Sequence, residues 1–378
     1  MHRKHYLMSG QKTVMTKEQA IKVARVLKCL IEINEVSKLL TAFMPAFIYK
    51  TIGKLGKFFL HGNFHMGGTK SGRLSSSKVN LQQLPSTGSK YAKVIKECFQ
   101  APDGWVIVGA DFSSLEDKIS ALTTKDPNKI RVYAEGYDGH CLRAFAYFGK
   151  QMPGIVDTVA SINSIETMYE ALRQRSKGPT FALTYQGTAH TLVNNLGFPK
   201  DEALEIEKNY HELYKVSDEW VQDKLFEASK NGYVTGAFGL RLRTPLLAKT
   251  ILNNRQTPYE AQAEGRTAGN ALGQSYGLLN NRAANEFMDK VHASVYRYTI
   301  LPIAHIHDAQ YYMVKADSKL ICWLNTNLVN SMSWQDLPEL VHDQVKLGAS
   351  LEIYYPNMGN KITIPNNATE EEIVQATL

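Results

Sequence analysis

The chain has only four cysteines, Cys29, Cys98, Cys141 and Cys322, and no CxxC pair among them. Far apart as they are, they indicate neither a zinc site nor a disulfide framework, and a reducing compartment fits. No apolar run approaches the ~20 residues needed to span a bilayer, and the opening MHRKHYLMSG lacks the apolar stretch of a secretion signal. The expectation is a soluble, intracellular protein with no membrane partner. Internal repeats are also missing. The most informative absence is of acid: from Val36 to Lys96 there is no Asp or Glu, while Lys38, Lys50, Lys54, Lys57, Lys70, Arg73, Lys78, Lys90, Lys93 and Lys96 all lie there. A solvated face normally mixes signs, so a stretch of one sign points to a polyanionic partner.

What is present is a globular composition. The 378 residues are 44% hydrophobic and 21% charged, with 43 Lys and Arg against 36 acidic residues, net +7. That is ample for a substantial core and, at ~100–200 residues per domain, for two or three subdomains. Thr16 and Gln19 form a capping-box pattern before Ile21, Val23, Val26, Leu27, Leu30 and Ile31, which predicts a long helix running toward Phe43. The polar stretch HMGGTKSGRLSSSKVNLQQLPSTGSK follows, longer than ordinary connections. Its Lys70, Arg73 and Lys78, with Asn80, Gln82 and Gln83, suit phosphate and base-edge contacts. WVIVGADF then reads as a strand that ends at Asp111. Helical patterns occupy Glu116–Thr123, Thr167–Arg175, Phe181–Leu196, Asp201–Lys230 and Tyr259–Tyr296, and strand signals return at Ile300–Val314 and in ASLEIYY. Strands parted by a large helical block predict an α+β fold, a sheet with an inserted helical subdomain.

HIHDAQYY, His305 to Tyr312, places Asp308 in a turn between two β runs. A carboxylate there ordinarily just caps the turn. Asp111, 197 positions earlier, stands at another strand end, and two such carboxylates can line one cleft. They are the minimum for two divalent ions roughly 3.5–4 Å apart, the arrangement for in-line phosphoryl transfer. Mg²⁺ suits such oxygen donors, with Mn²⁺ as a substitute. Between them, Arg173, Lys177, Phe181 and Tyr185 recur every fourth residue, a stripe of roughly 18 Å along one helix. A stripe like this is usually core. The order of two cations and then two aromatics also fits a nucleoside triphosphate laid along the helix.

These segments resemble the polymerase region of family A DNA polymerases, the bacterial polymerase I and phage replicative type. DFSSLEDK at Asp111, RQRSKGPTF with Tyr185, and HIHDAQYY resemble three motifs of that family, in order. GRLSSSKVNLQQLP resembles its template-primer loop, DGHCLRAFAYF the segment whose His140 reaches the incoming phosphates, and EGRTAGNALGQS the primer-template positions Arg266, Asn270 and Gln274. The likeness runs from about Leu39 to the C-terminus. It implies a right-hand polymerase fold, with an antiparallel palm sheet and inserted helical fingers. Template-directed addition of dNTPs to a primer 3′-hydroxyl would use Asp111, Asp308 and Lys177 as catalytic residues. Asp111 and Asp308 would hold two ions, one lowering the pKa of the 3′-hydroxyl and the other carrying the triphosphate, and Lys177 would neutralise or protonate the leaving pyrophosphate. Arg173, Lys177, Phe181, Tyr185, His140 and Glu116 would bind the dNTP, Glu116 closing the pocket over the 2′ carbon. Arg73, Asn80, Gln82, Gln83, Arg266, Asn270, Gln274 and His307 would meet primer and template. The bacterial cytoplasm, with phage encoding, is the implied setting.

The expected organisation is a helical tail of a thumb over 1–60, palm with the template-primer loop over 61–125, fingers over 126–255 and the rest of the palm over 256–378. Only about seventy residues precede Arg73, whereas the family places a long thumb, early palm and an exonuclease domain there. The expectation is therefore a C-terminal portion, with the thumb largely missing, of a split or truncated enzyme, helped by an N-terminal polypeptide that carries exonuclease and thumb. Three departures stand out: Ala309 where the family has Glu, Pro179 inside the nucleotide helix, and Gln186 between Tyr185 and Gly187. Ala309 keeps open a non-catalytic DNA-binding subunit. A single-subunit RNA polymerase is a further alternative, opposed by Glu116, whose carboxylate would crowd a 2′-hydroxyl.

Overall fold

The computed structural model describes residues 16–48, 51–52, 58–85, 89–250 and 258–377. Lys50, Lys54 and Lys57 of the basic stretch lie outside them. The chain divides into two units, one of residues 1–65 and 76–83, the other of 66–75 and 84–378.

In the first unit, helix α1 (Lys17–Ala42) opens on the expected capping box: Thr16 Oγ1 accepts from the Gln19 N–H, and the Thr16 N–H donates to Gln19 Oε1. The helix ends at Phe43, buried at 1% exposure. Its apolar residues are not buried, for Val26, Leu30, Ile33 and Leu40 are each more than half exposed.

The second unit is built on an antiparallel sheet of five strands: β1 (Trp105–Phe112), β2 (Ile300–Ile306), β3 (Ala309–Lys315), β4 (Ala349–Tyr354) and β5 (Lys361–Ile364). Their spatial order is β5-β4-β1-β3-β2. Side chains alternate between faces along each strand. Val106, Val108 and Ala110 of β1, Tyr312 and Val314 of β3, and Leu351 and Ile353 of β4 therefore share one buried face. The other face carries Asp111, Tyr311 and Glu352. Position 109 shares that face and is glycine, for a Cβ there would stand 2.9 Å from the Tyr311 ring and 3.0 Å from the Tyr354 ring.

Between β1 and β2 lies the helical insertion: α2 (Leu115–Thr124), α3 (Gly139–Phe148), α4 (Glu170–Thr184), α5 (Ala189–Leu196), α6 (Lys200–Leu213), α7 (Lys215–Asn231), α8 (Tyr259–Gln274) and α9 (Leu278–Ala293), with shorter helices among them. After β3, α10 (Ser318–Met332) joins α9 in covering the buried face of the sheet, through Phe287 and Val291 of α9 and Leu324 and Leu328 of α10. The insertion has its own core around Leu142, Phe148, Leu183, Leu192, Ile206 and Tyr210. Arg143 of α3 ties parts of the insertion together: its Nη2 donates to Asp117 of α2 at 2.7 Å, and its Nε to the hydroxyl of Tyr214, between α6 and α7, at 2.9 Å. Burial pushes the Asp117 carboxyl up, and the Arg143 charge overrides it and holds it low.

Four expected helices are each divided, the first of them, Thr167–Arg175, at Tyr169. Phe181–Leu196 breaks after Thr184, where Gln186 takes a φ of 60° and a Cβ at Gly187 would strike the Ala182 carbonyl at 2.6 Å. Asp201–Lys230 breaks at Tyr214, a buried residue whose hydroxyl accepts from Arg143 Nε. Tyr259–Tyr296 is interrupted by a 3-10 turn at Ser275–Gly277, where the Arg73 side chain would lie 3.0 Å from a Cβ at Gly277. Pro179 neither starts nor ends its helix, since α4 runs from Glu170 through it. Having no N–H, Pro179 leaves the Arg175 carbonyl without its intrahelical donor.

Candidate active site

Asp111 stands near the end of β1, directly across from Ala309 of β3, and Asp308 is the residue before Ala309. The Phe112 N–H donates to the Asp308 carbonyl at 3.4 Å, which closes the two segments on each other. Burial first, and then the charges of Asp308 and Glu352, push the Asp111 carboxyl up to about 6. Asp308 is also raised, by burial and then by Glu116, against the opposing charges of Arg73 and His307. Two carboxylates that resist ionising beside each other form a site that gains from a cation. Ala309, 6% exposed, adds no third oxygen donor. Among the described residues no group of three or more His, Cys, Asp and Glu is placed to hold a metal ion. Substrate oxygens and water would have to complete the shell, which is how Mg²⁺ is usually held.

The turn bearing Asp308 is braced from behind. His307 has a φ of 57°, and Asn280 on α9, 1% exposed, donates from Nδ2 to the carbonyls of His307 and Ala309 at 3.3 and 3.4 Å. Asn280 Oδ1 accepts from Gln310 Nε2 at 2.7 Å, and Gln310 Oε1 from the Tyr312 hydroxyl at 2.6 Å. Turn chemistry drew attention to Asp308 in the sequence. Asn280, a buried amide within an otherwise ordinary helix, gave no such signal.

Helix α4 turns Ser176, Pro179, Thr180 and Leu183 inward, while Phe181 on the opposite side is 68% exposed. The four-residue stripe is therefore not core. The Phe181 and Tyr185 rings lie 4.9 Å apart, centroid to centroid. The Tyr185 hydroxyl donates to Glu116 Oε2 at 2.6 Å, and Arg73 Nη2 to Glu116 Oε1 at 2.6 Å, so three predicted residues meet in one cluster. Burial, then the bond to Glu116, push the Tyr185 hydroxyl up to about 12, which keeps it a donor. At the other end of the stripe, Arg173 is engaged by Asp138 at 2.6 Å and Glu166 at 3.5 Å. Asp138 also caps α3, accepting from the Cys141 N–H, so one carboxylate aligns Arg173 with the helix that carries His140. Burial, then the charges of Arg143 and Lys177, push the His140 imidazole below its ordinary value, and among the described residues its buried Nδ1 has no hydrogen-bond partner.

On α8, Ala268, Ala271 and Leu272 face inward. Asn270 Nδ2 donates to the Tyr185 carbonyl at 3.3 Å, and Arg266 lies over the Tyr259 ring at 5.6 Å. Asn270 and Gln274 line a cavity of about 350 Å³ together with Glu116, Tyr185 and Gln186. Asn80, Gln82 and Gln83 belong to the first unit, on and beside a 3-10 turn at Leu81–Gln83.

Residues 2–353 match the family described as DNA polymerase family A. The thermostable DNA polymerase I of Thermus thermophilus is 31% identical over 230 residues, which cover 60% of this chain and 25% of that protein. DNA polymerase I of Synechocystis sp. is 22% identical over 331 residues, 87% of this chain and 31% of that protein. The chain thus spans about a quarter to a third of the length of these relatives. Among solved structures, the POL domain of Pol1 from M. smegmatis, in complex with DNA primer-template and dNTP, superposes with a TM-score of 0.69 at 20% identity and covers 92% of this chain and 58% of that one.

Proposed function

The chain belongs to DNA polymerase family A, and from that premise we propose that it adds deoxynucleotides to a primer 3′-hydroxyl as directed by a DNA template. The observation that carries this reading is that Asp111 and Asp308 come side by side where β1 meets the turn before β3, with Arg73 and Glu116 of the Arg73–Glu116–Tyr185 cluster near enough for their charges to act on Asp308. Asp111 and Asp308 are the residues that would hold divalent cations, Mg²⁺ by their oxygen chemistry. Bound there, the ions would supply the charge that favours an ionised 3′-hydroxyl and a departing pyrophosphate.

The chain's own residues do the rest. His140, Arg173 and Lys177 meet the triphosphate, whose oxygens only accept, so His140 serves it as a ring N–H donor. Lys177 neutralises the leaving pyrophosphate or gives it a proton. The exposed Phe181 face and Tyr185 offer stacking surface for the incoming nucleotide. Glu116, clamped from two sides, cannot swing away, so its carboxylate closes the space a 2′-hydroxyl would need. Arg73, Arg266, Asn270, Gln274 and His307 face primer and template, and Asn80, Gln82 and Gln83 are also assigned to primer and template by their side chains. In this reading the sheet with residues 61–125 and 256–378 is the palm, residues 126–255 are the fingers and residues 1–60 the tail of a thumb.

Ala309 supports a second reading, a DNA-binding subunit without catalysis. Mg²⁺-dependent incorporation of a labelled dNTP decides between the two. Incorporation that disappears in Asp111→Asn and Asp308→Asn, with DNA affinity within a few fold, supports the polymerase; salt-sensitive DNA binding alone supports the subunit. We also propose a partner polypeptide over the exposed apolar side of α1 (Val26, Leu30, Ile33, Leu40), which bears on how long a product the chain makes. Product length that does not change when an exonuclease-thumb fragment is added would remove it.

A further inference from the structure

Gln186 does not suit its backbone. Its φ of 60° lies in the left-handed region, where a side chain crowds the backbone and glycine is the usual occupant. A residue kept in such a conformation at a site is held there by its contacts. The Gln186 N–H donates to the Leu183 carbonyl at 2.9 Å and closes the last turn of α4. Its amide reaches across to α8, where the missing side chain of Gly269 leaves a seat: a Cβ at 269 would stand 1.9 Å from Gln186 Nε2 and 3.1 Å from its Cδ. One residue further along α8, Asn270 Nδ2 donates to the Tyr185 carbonyl at 3.3 Å. Two consecutive residues at the end of α4 thus dock on two consecutive residues of α8.

We propose that Gln186 is a positioning residue whose amide, seated on Gly269, pins the end of α4 to α8. It thereby fixes the Phe181–Tyr185 ring pair and the Tyr185–Glu116 bond against the helix that carries Arg266, Asn270 and Gln274. The inference rests on the polymerase reading of these two helices. Its consequence is that the surface receiving the nucleotide and the surface meeting the template are held in one register. A loosened contact weakens nucleotide capture first and the chemical step less.

A double-mutant cycle tests this with the full chain and its Gln186→Gly, Gly269→Ala and Gln186→Gly/Gly269→Ala forms, read by single-nucleotide incorporation and by thermal melting. Gln186→Gly keeps the left-handed turn and removes the amide, so KM for the dNTP should rise about fivefold with kcat changed less than about twofold. Gly269→Ala, which drives the amide from its seat, should raise KM at least as much. The double variant should return to within about twofold of Gln186→Gly, because the added methyl then meets no amide. Multiplying effects, or a Gln186→Gly protein with the original KM, would overturn the proposal, as would melting losses with KM unmoved. An unmodified chain that incorporates nothing is a failure of the polymerase reading instead. The melting cycle then still reads the contact, and additive losses there overturn it.

Discussion

Asn280→Ala tests the brace behind Asp308. The side chain removed is 1% exposed, accepts one bond of 2.7 Å from Gln310, and donates two longer ones of 3.3 and 3.4 Å to the turn carbonyls. Gln310 is itself fully buried; its Oε1 keeps the Tyr312 hydroxyl, and its Nε2 retains the Asn280 backbone carbonyl at 3.1 Å. One good buried bond lost and two turn carbonyls left short of donors cost about 2 kcal/mol. That corresponds to a melting temperature lower by about 5 °C. The functional loss should be larger than the stability loss suggests. Asp308 needs sub-ångström placement, and a displacement of about 1 Å in a reacting array can cost roughly a hundredfold in rate. The assay is steady-state incorporation with melting on the same preparation, and Asp308→Asn serves as the comparison that abolishes activity without disturbing the brace. DNA affinity should stay within a few fold, because Asn280 faces the turn and not a phosphate. An Asn280→Ala protein with unaltered kcat/KM would refute the view that the turn is positioned from α9.

Glu116→Ala frees the Arg73 and Tyr185 groups that now clamp the carboxylate, so dNTP incorporation should fall while the ratio of dNTP to rNTP kcat/KM drops by about tenfold or more; an unchanged ratio places discrimination elsewhere. Phe181→Tyr puts a hydroxyl on the exposed face of α4 where a missing 3′-hydroxyl could be replaced, so chain termination at matched ddNTP to dNTP ratios should become easier, and equal termination by both proteins counts against this use of α4. Asp138 is the pH-sensitive joint. Burial opposes its ionisation, but the Arg173 bond and the Cys141 N–H outweigh burial and hold the carboxyl down at about 2. A depressed carboxyl contributes stability above its unfolded pKa of about 3.9 and loses it as pH falls toward 2. The melting temperature of the parent should therefore fall more steeply than that of Asp138→Asn between about pH 4 and 2; parallel curves would show that the ion pair adds nothing.

The parts of the site legible in the sequence were those with a periodic or turn signal. Asp111 and Asp308 follow from strand endings, and the α4 stripe from four-residue spacing. The capping box at Thr16 and Gln19 marked the start of α1 to the residue. What escaped was set by tertiary contact. The helix breaks at Tyr214 and Gly277 each lie against an arginine from an element distant in sequence, Arg143 and Arg73. Glu352, on the face of the sheet that carries Asp111 and bound to Lys361 and Tyr354, sits in a strand whose alternation says only that the residue points away from the core. The Asp138–Arg173 pair joins residues 35 apart, and nothing in either local pattern names the other.

The central claim is tested most directly by giving the chain, Mg²⁺ and one labelled dNTP at a time to four primer-template duplexes that differ only in the templating base. Addition of the complementary nucleotide alone, on each duplex, with loss of all four reactions in Asp308→Asn, is the predicted result. Tight, salt-sensitive binding of the same duplexes with no nucleotide added on any of them would contradict it.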